Sequence, residues 1–432
     1  MRCGGQGVYL WFLARELAKL GHEIDVLVGP PYPDPMPFAA SVQELPNEQF
    51  WGGWFAHDRH AMLPRPNPLR IFLPLNFYEL AASRIGFLPE AFAFSVRAFR
   101  QIARRASLGI HYDIVHDVQC LGWGDLGLMA LGLPVVTTIH HPLSVDRRFS
   151  FVRDESFRDA LGTMTFYPIG MQSFVARRVD CLFTSSQESA RTIERDFGVR
   201  RERIRMVANG VDVDLFSPDP GMERDPNELL CVGRASDPNK GLPTLIDALP
   251  HLPKRIFLTL VDDDHPDNVA RQRARAIGVE QRVRIVGRVP IDELVTLYRR
   301  AAVVVVPSRY EGFGLPAAEA MACGAPVVAC AAGALPEVVT TGGGGRLVPP
   351  NDPEALAKAV RELLAEPGLR AELGVIGRKG IDSAYAWPRV AARTAEVYAE
   401  VVAARRGRPA ITTTSASDGS TRATRSSATS AA

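Results

Sequence analysis

The chain has 432 residues, of which 46% are hydrophobic and 23% are charged, a composition that excludes a fully disordered, collagen-like or disulfide-dense protein. At about 100–200 residues per domain, this length predicts two or three domains. Lys and Arg number 50 and Asp and Glu number 48, so the net charge of +2 gives no indication of nucleic-acid binding. Residues 405–432 contribute five Arg and one Asp, which leaves residues 1–404 slightly acidic.

Apolar strand-like runs alternate with amphipathic helical stretches along the chain, beginning with a predicted helix over Val8–Leu20. Such alternation predicts parallel sheets of the doubly wound α/β kind. In the first half the predicted strands are Glu23–Val28, Asp113–His116, Pro134–Ile139, Cys181–Thr184 and Ile204–Val207. In the second half they are Glu228–Val232, Ile256–Val261, Val283–Val286, Val303–Val306 and Pro326–Ala329.

Two sets of these units predict two Rossmann-like domains, over residues 1–208 and 209–387, joined where turn residues cluster at Asn209–Pro218. A further helix is predicted over residues 388–404. Residues 405–432 are rich in Thr, Ser, Ala and Arg and predict a disordered tail, because they have too little apolar surface to offset the entropy of ordering.

The start of the chain is unusual for this fold. A Gly-rich turn, Gly4-Gly5-Gln6-Gly7, is followed at once by a helix, whereas in a dinucleotide-type fold such a turn follows a central strand. Only Met1–Cys3 precede the turn here. Since omitting a central strand exposes sheet edges, we hypothesise that the natural first strand is missing from this chain.

Residues 30–108 are rich in Pro, Phe and Trp and predict an irregular wall of the first domain. Its last helix, Phe92–Arg105, places apolar residues on one face and Arg97, Arg100, Arg104 and Arg105 elsewhere. The simpler interpretation is a helix docked on its own sheet. The alternative is a basic amphipathic helix that contacts an anionic membrane.

The six cysteines form no C-x-x-C pair, which is typical of reduced thiols in a cytosolic protein. No apolar run approaches the ~20 residues that span a bilayer, and no signal-peptide pattern opens the chain. We therefore expect a cytoplasmic protein, with peripheral contact at the inner face of the plasma membrane as an option.

Two loops of the second domain carry residue types that can bind an anion such as a diphosphate. Arg234 follows a predicted strand, and Lys240 lies six residues further on, so a guanidinium and an ammonium can reach one diphosphate. After the strand that ends at Pro307, the backbone N–H groups of Phe313, Gly314 and Leu315 precede a helix with Pro316 in its first turn, a pattern that favours anion binding. Glu311 and Glu319 bracket this loop, and their carboxylates suit sugar hydroxyls.

Together these segments resemble the retaining, nucleotide-sugar-dependent glycosyltransferases of the two-Rossmann-domain (GT-B) fold, group 1 or family 4. The resemblance extends from residue 4 to about residue 350, in the expected order. The matching segments are Gly4-Gly5-Gln6-Gly7, Gly21-His22-Glu23, Thr138-Ile139-His140, Asn209-Gly210-Val211-Asp212, Gly233-Arg234, Lys240-Gly241, Glu311 to Glu319, and Ala317 to Val328.

The resemblance implies a role for each matching residue. Arg234 and Lys240 would neutralise the donor diphosphate, Glu319 would hold the ribose, and Glu311 would contact the donor sugar. Gly5 and Gly7 would let the backbone approach phosphates or acceptor, and Val289 would lie near the base. His140 would contact the donor sugar or the reacting centre, although strand alternation leaves open whether His140 or His141 faces the cleft.

The resemblance also implies a cofactor-free, metal-independent reaction with retention of configuration, in which the acceptor attacks on the face that the leaving group departs from. Asp262-Asp-Asp264 is a candidate metal signature, but it stands where the family usually has a Gly-rich turn. In this architecture the helix over residues 388–404 crosses back to the first domain, and closure about residues 209–212 would assemble the site.

The resulting prediction is an enzyme of the hexosyltransferase type that uses a nucleotide-sugar donor and binds no nucleic acid. The acceptor is open: a glycan, a lipid-linked or cell-envelope molecule, or a small molecule. One alternative is a sugar-nucleotide-binding relative without turnover, or a fragment inactivated by the missing first strand. Another is a sugar-nucleotide epimerase of the same fold, for which no clear set of acid and base residues is evident.

Overall fold

In a computed structural model of the protein, residues 5–47, 67–84, 87–145, 147–148, 166 and 168–407 are described. The predictions for the tail beyond residue 407, for Gly4 and for the tryptophans of the wall fall outside these residues. The helices are α1 (Gly5–Lys19), α2 (Pro74–Arg84), α3 (Glu90–Ser107), α4 (Trp123–Ala130), α5 (Ile169–Ala176), α6 (Gln187–Phe197), α7 (Leu242–Ala248), α8 (Val269–Ala276), α9 (Ile291–Arg300), α10 (Leu315–Ala322), α11 (Leu335–Gly342), α12 (Pro353–Ala365), α13 (Pro367–Tyr385) and α14 (Trp387–Arg406).

The second domain contains one six-stranded parallel sheet. Its strands are β7 (Asp225–Val232), β8 (Phe257–Val261), β9 (Val283–Ile285), β10 (Ala301–Val306), β11 (Val327–Cys330) and β12 (Gly345–Val348). They run in the order β9-β8-β7-β10-β11-β12, which is the doubly wound order with its switch point between β7 and β10. The predicted Rossmann-like fold is confirmed for this half of the chain.

Both faces of this sheet are covered by helices, which explains why its strands read as continuous apolar runs. In β10 every residue is buried. Val303 and Val305 pack into one core with Leu245 of α7 and Leu356 of α12. The alternate residues of β10 face the opposite core, which contains Met321 of α10. Successive side chains of a strand point to opposite faces, so one apolar run serves two cores.

The first domain has its sheet in two parallel pieces. One piece joins β1 (Asp25–Val28) and β2 (Ser41–Glu44), and the other joins β3 (Val115–Val118), β4 (Val135–Ile139), β5 (Cys181–Thr184) and β6 (Ile204–Met206) in that order. Among the described residues β1 and β3 do not pair. One strand between them would give this sheet the same order as the second, and the missing first strand stays a prediction.

Helix α1 bridges the two pieces. Its Leu13 packs in one core with Val136 of β4, while its Leu10 packs against Val26 of β1. On the other face, Ile102 of α3 shares a core with Leu182 of β5. Helices therefore cover the sheet of the first domain on both faces, although β1 and β3 do not pair.

All ten predicted strands coincide with observed strands, and two observed strands were not predicted. Strand β2 has Val42 as its single apolar residue, and β12 opens on Gly345 and includes Arg346, so neither has an apolar run. Both are edge strands, β2 in the two-stranded piece and β12 in the second sheet, where one side of the strand lacks a neighbour to bury it.

Helix α3 is docked on the first domain, as the simpler interpretation held. The guanidinium of Arg97 bonds both carboxylate oxygens of Glu79, and Arg105 forms an ion pair with Asp25. Two of its four arginines are therefore engaged within the protein, and the helix does not present a wholly basic face. No described helix is both long enough and apolar enough to span a bilayer.

The chain passes twice between the domains, at two adjacent segments. Val211 N–H donates to the Tyr385 carbonyl at 2.7 Å, and Trp387 N–H donates to the Val211 carbonyl at 3.3 Å. Helix α14 then packs on the first domain through Trp387, Val390 and Val397. The helix extends two residues beyond the predicted limit of 404, and these last residues form ion pairs, Arg405 with Asp180 and Arg406 with Asp113.

Candidate functional site

The carboxyl ends of β7 and β10 are adjacent at the centre of the second sheet, where the strand order reverses. Ligands of doubly wound sheets bind in the crevice at such a point. The segment after β7 carries Arg234 and Lys240, and the segment after β10 carries Glu311. The topology therefore brings the two predicted loops together.

Lys240 and Glu311 form an ion pair at this point. The Lys240 Nζ lies 2.7 Å from Glu311 Oε1, and the Ser308 hydroxyl donates to the same oxygen at 2.8 Å. The side chains are 26% and 11% exposed, so the pair borders solvent. An ammonium and a carboxylate held together can respectively neutralise a phosphate and accept a hydrogen bond from a sugar hydroxyl.

The loop after β7 is anchored by Asp262, the first residue of the candidate metal signature. Its carboxylate is buried and accepts hydrogen bonds from Ala235 N–H at 2.8 Å and from Asn268 Nδ2 at 2.7 Å. Asp264 pairs instead with Arg271. Within the described residues no group of three or more His, Cys, Asp or Glu side chains could hold a metal ion. Asp262 thus supports the loop that carries Arg234.

Backbone donors and an unpaired guanidinium face the same crevice end of the sheet. Gly314 adopts a φ of +101°, in the left-handed region that favours glycine, and α10 begins at Leu315. In the part of the chain that the structure describes, the N–H groups of Phe313, Gly314 and Leu315 have no hydrogen-bond partner, and Arg234 is exposed without an ion pair. These groups can bind an anion beside the positive end of the helix dipole.

Glu319 lies one turn into α10 and is held by Tyr298 of α9. The Tyr298 hydroxyl donates to Glu319 Oε2 at 2.9 Å. Burial raises the pKa of Glu319 to about 7, and the bond from Tyr298 opposes that rise. Val289, in the segment between β9 and α9, packs on the core that includes Tyr298. Glu319 and Val289 are therefore both next to Tyr298, and their predicted contacts with the nucleoside stay predictions.

His140 follows β4 in the first domain and is a neutral imidazole. Its Nδ1 lies 3.1 Å from Asn209 Oδ1, and the ring of Tyr9 contacts it edge-on at 4.3 Å between centroids. Burial lowers the pKa of His140 to about 4. Because an amide oxygen accepts, Nδ1 carries the proton in this arrangement, and the buried Nε2 is an acceptor without a partner among the described residues.

His141 points elsewhere. Its ring lies 5.1 Å from that of Tyr310 in the second domain, between centroids. The side-chain oxygen of Gln119 accepts from the N–H groups of both histidines. Each histidine therefore contacts a different part of the region between the domains.

Gly5 and Gly7 lie in the first turn of α1. A Cβ added at Gly5 would meet no atom within 4 Å, so its surroundings are open. Helix α1 also carries Tyr9, whose ring contacts His140, and this places the start of the helix on the same side as the crevice.

The segment after β10 contacts the first domain at Gly312. The Gly312 carbonyl accepts from the hydroxyls of Ser185, Ser186 and Ser189 at 3.0, 3.0 and 3.3 Å. A Cβ at Gly312 would lie 2.4 Å from the His140 carbonyl oxygen. Close approach of the two domains at this point therefore requires glycine.

A carboxylate of the second domain caps a helix of the first. Glu337 of α11 accepts from Gln187 N–H at 2.9 Å and from Glu188 N–H at 3.1 Å, at the start of α6. A carboxylate at a helix N-terminus satisfies backbone donors and interacts favourably with the dipole. Gly312 and Glu337 thus both contact residues 185–189 of the first domain, between the carboxyl end of β5 and the first turn of α6.

Comparison with known proteins establishes the family. The family model for glycosyl transferases group 1 matches residues 212–380, and that for Glycosyltransferase Family 4 matches residues 3–215. The MMP alpha-(1->4)-mannosyltransferase of Mycolicibacterium hassiacum is 36% identical over 93% of this chain and 96% of its own length. The chain belongs to the group 1, family 4 glycosyltransferases. The predicted family and enzyme class are thereby confirmed.

Further relatives and solved structures agree with this assignment. The D-inositol 3-phosphate glycosyltransferase of Xylanimonas cellulosilytica is 31% identical and covers 94% of each chain. The sucrose-phosphate synthase of Thermosynechococcus elongatus superimposes with a TM-score of 0.66 at 25% identity, over 93% of this chain and 94% of its own. Anabaena HepE in complex with UDP has a TM-score of 0.65 at 19% identity, over 92% and 96%. The predicted GT-B fold is confirmed for this glycosyltransferase.

Several residues that contact the candidate site residues, or that join the two domains beside them, were not predicted. They are Tyr9, Gln119, Ser185, Ser186, Ser189, Asn209, Tyr298, Ser308 and Glu337. Gln119, Ser185 and Ser308 follow the carboxyl ends of β3, β5 and β10, so polar residues just after parallel strands were the available signal. Tyr298 and Glu337 lie within helices and had no such signal.

Proposed function

We propose that this glycosyltransferase transfers a sugar from a nucleoside-diphosphate sugar to an acceptor hydroxyl, with retention of configuration. The observation that carries the proposal is the meeting of Lys240 and Glu311 at the switch point between β7 and β10. Arg234 and the unpartnered N–H groups before α10 add positive potential at the same place. Support for retention comes from the family resemblance.

The chemistry follows from what these groups can bind. Lys240 and Arg234 would stabilise the charge that develops on the departing diphosphate, and such stabilisation is worth several kcal/mol, of order 3, in sites that exclude water. Because these cations supply the needed charge, we propose that no metal is required. Glu311 would accept from donor-sugar hydroxyls and Glu319 from the ribose. The neutral His140 can accept a further hydroxyl proton at Nε2.

The donor and the acceptor are proposed from the relatives. A named mannosyltransferase matches nearly the whole chain, so a mannosyl group is the first donor to test, and a carbohydrate hydroxyl is the first acceptor. A structure of similar fold was obtained with UDP, which makes a nucleoside diphosphate the expected product. A lipid-linked or cell-envelope acceptor stays a prediction.

The experiment combines a donor panel with matched variants. The full chain is mixed with UDP-, GDP- and ADP-sugars, with and without EDTA, and release of nucleoside diphosphate is measured. Lys240→Ala and Glu311→Ala should each abolish release while remaining folded. Lys254→Ala removes an exposed charge from the same domain and should be neutral. Full activity in both site variants would overturn the assignment.

A further inference from the structure

A cavity of about 250 Å³ lies in the first domain, away from the crevice. Its walls come from the residues that precede or begin β5 and β6, which form the amino-terminal edge of the sheet, and from the last turns of α14. The crevice lies at the carboxyl edge, so the two sites are at opposite edges of the same sheet. The arginines that line the cavity are Arg178, Arg200, Arg203, Arg205 and Arg405.

The lining carries a net positive charge. Against the five arginines stand three carboxylates, which leaves a formal charge of +2. Asp180 is paired with Arg405 at 3.2 Å, and Glu400 lies 3.6 Å from Arg205. Paired carboxylates do not neutralise the remaining guanidinium groups, so the cavity favours an anionic ligand.

The guanidinium groups retain donors for a ligand. A guanidinium has five N–H donors, and those of Arg203 and Arg205 use one terminal nitrogen each for backbone carbonyl oxygens. Arg200 is exposed, and its side chain has no hydrogen bond to any described residue. Planar guanidinium groups bind phosphate oxygens in pairs, and the several oxygens of a tetrahedral anion can be shared among the arginines of one cavity.

We propose that this arginine pocket binds the phosphate group of a small ligand or lipid. The ligand would contact β5, β6 and α14 at once, and would hold the end of the crossing helix on the first domain. The proposal is independent of the function assigned to the crevice, because none of the arginines belongs to that site. The phosphate can come from a soluble metabolite or from a membrane headgroup.

Inorganic phosphate is the probe, and isothermal titration and thermal unfolding are the readouts, at constant ionic strength set with NaCl. All proteins carry Arg234→Ala and Lys240→Ala, so that the two cations of the crevice do not contribute and its backbone donors are the same in every protein. The test variant is Arg200→Gln with Arg205→Gln. The control, Arg191→Gln with Arg255→Gln, removes the same charge from exposed positions outside the pocket. Arg200→Glu alone is a second test, because Arg200 has no bond whose loss would unfold the chain.

We expect saturable binding in the background and control proteins, and affinity at least about tenfold weaker in both pocket variants. Cosedimentation with vesicles of phosphatidylcholine and phosphatidic acid, lost in the pocket variants, would identify a headgroup as the source. Phosphate binding without vesicle binding would indicate a soluble ligand. Phosphate binding that is no tighter than chloride binding, or that is weakened equally in the control variant, would overturn the proposal.

Discussion

Replacing Gly312 with Ala should slow sugar transfer without unfolding either domain. The new Cβ would lie 2.4 Å from the His140 carbonyl oxygen, where ordinary contact begins at 3.4 Å, so the domains must separate locally by about 1 Å. Overpacking of this kind costs about 1–3 kcal/mol. Because the clash is between domains, the cost falls on the closed arrangement, in which Gly312 of the second domain contacts the serines of the first. Its population, and with it kcat/KM, should fall by about 5–150-fold.

The assay is nucleoside-diphosphate release under kcat/KM conditions, together with thermal unfolding of the same preparations. Gly368→Ala is the matched control, because a Cβ there meets no atom within 4 Å. It should retain wild-type kinetics. If Gly312→Ala is folded and its kcat/KM equals that of the wild type, the two domains do not approach during turnover as they do here.

Three further predictions concern the interactions of buried or capping side chains. Tyr298→Phe removes the bond that opposes the raised pKa of Glu319, so the pKa should rise further from about 7. The smaller ionised fraction should raise the donor KM severalfold at pH 7 and move the acidic limb of kcat/KM to higher pH; an unmoved limb would contradict this. Burial lowers the pKa of His116 from an ordinary 6.5 to about 3, so between these pH values the unfolded chain binds a proton at His116 that the folded chain does not, and stability falls as pH drops through 6.5. In urea unfolding between pH 7 and 5, the wild type should therefore lose ~2 kcal/mol of stability relative to His116→Gln. Parallel curves of stability against pH for the two proteins would refute this. Glu337→Ala should cost the closed arrangement about 1 kcal/mol and lower kcat/KM about fivefold, whereas Glu372→Ala, at an exposed position, should be neutral.

The parts of the fold that sequence alone could predict are those in which local pattern and burial coincide. Strand β10 is apolar at every position because both of its faces are covered, and its limits were nearly correct. The short edge strand β2 alternates between half-buried and exposed positions and has no such run. The division of the first sheet depends on which strands pair, and pairing is a property of the tertiary structure.

The candidate site also has parts that the sequence could predict and parts that it could not. The meeting of Lys240 and Glu311 follows from the rule that central strands of a doubly wound sheet end side by side, so it could be anticipated once the strands were placed. The bond from Tyr298 to Glu319 joins two helices, and its geometry depends on how α9 and α10 pack. The three serines that meet Gly312 lie about 125 positions away in another domain, where no local pattern indicates a partner.

The double passage between the domains has a consequence for biosynthesis. The core of the first domain includes Trp387, Val390 and Val397, which leave the ribosome only after the whole second domain has been made. The second domain, an insertion between residues 211 and 386, can therefore complete its sheet while the first still lacks its last helix. During synthesis the first domain would expose the apolar side of α1 and β4 for the time needed to make about 180 residues, roughly 10–35 s at ordinary elongation rates. For this enzyme, the N-terminal half of the chain is the last part to reach its native state.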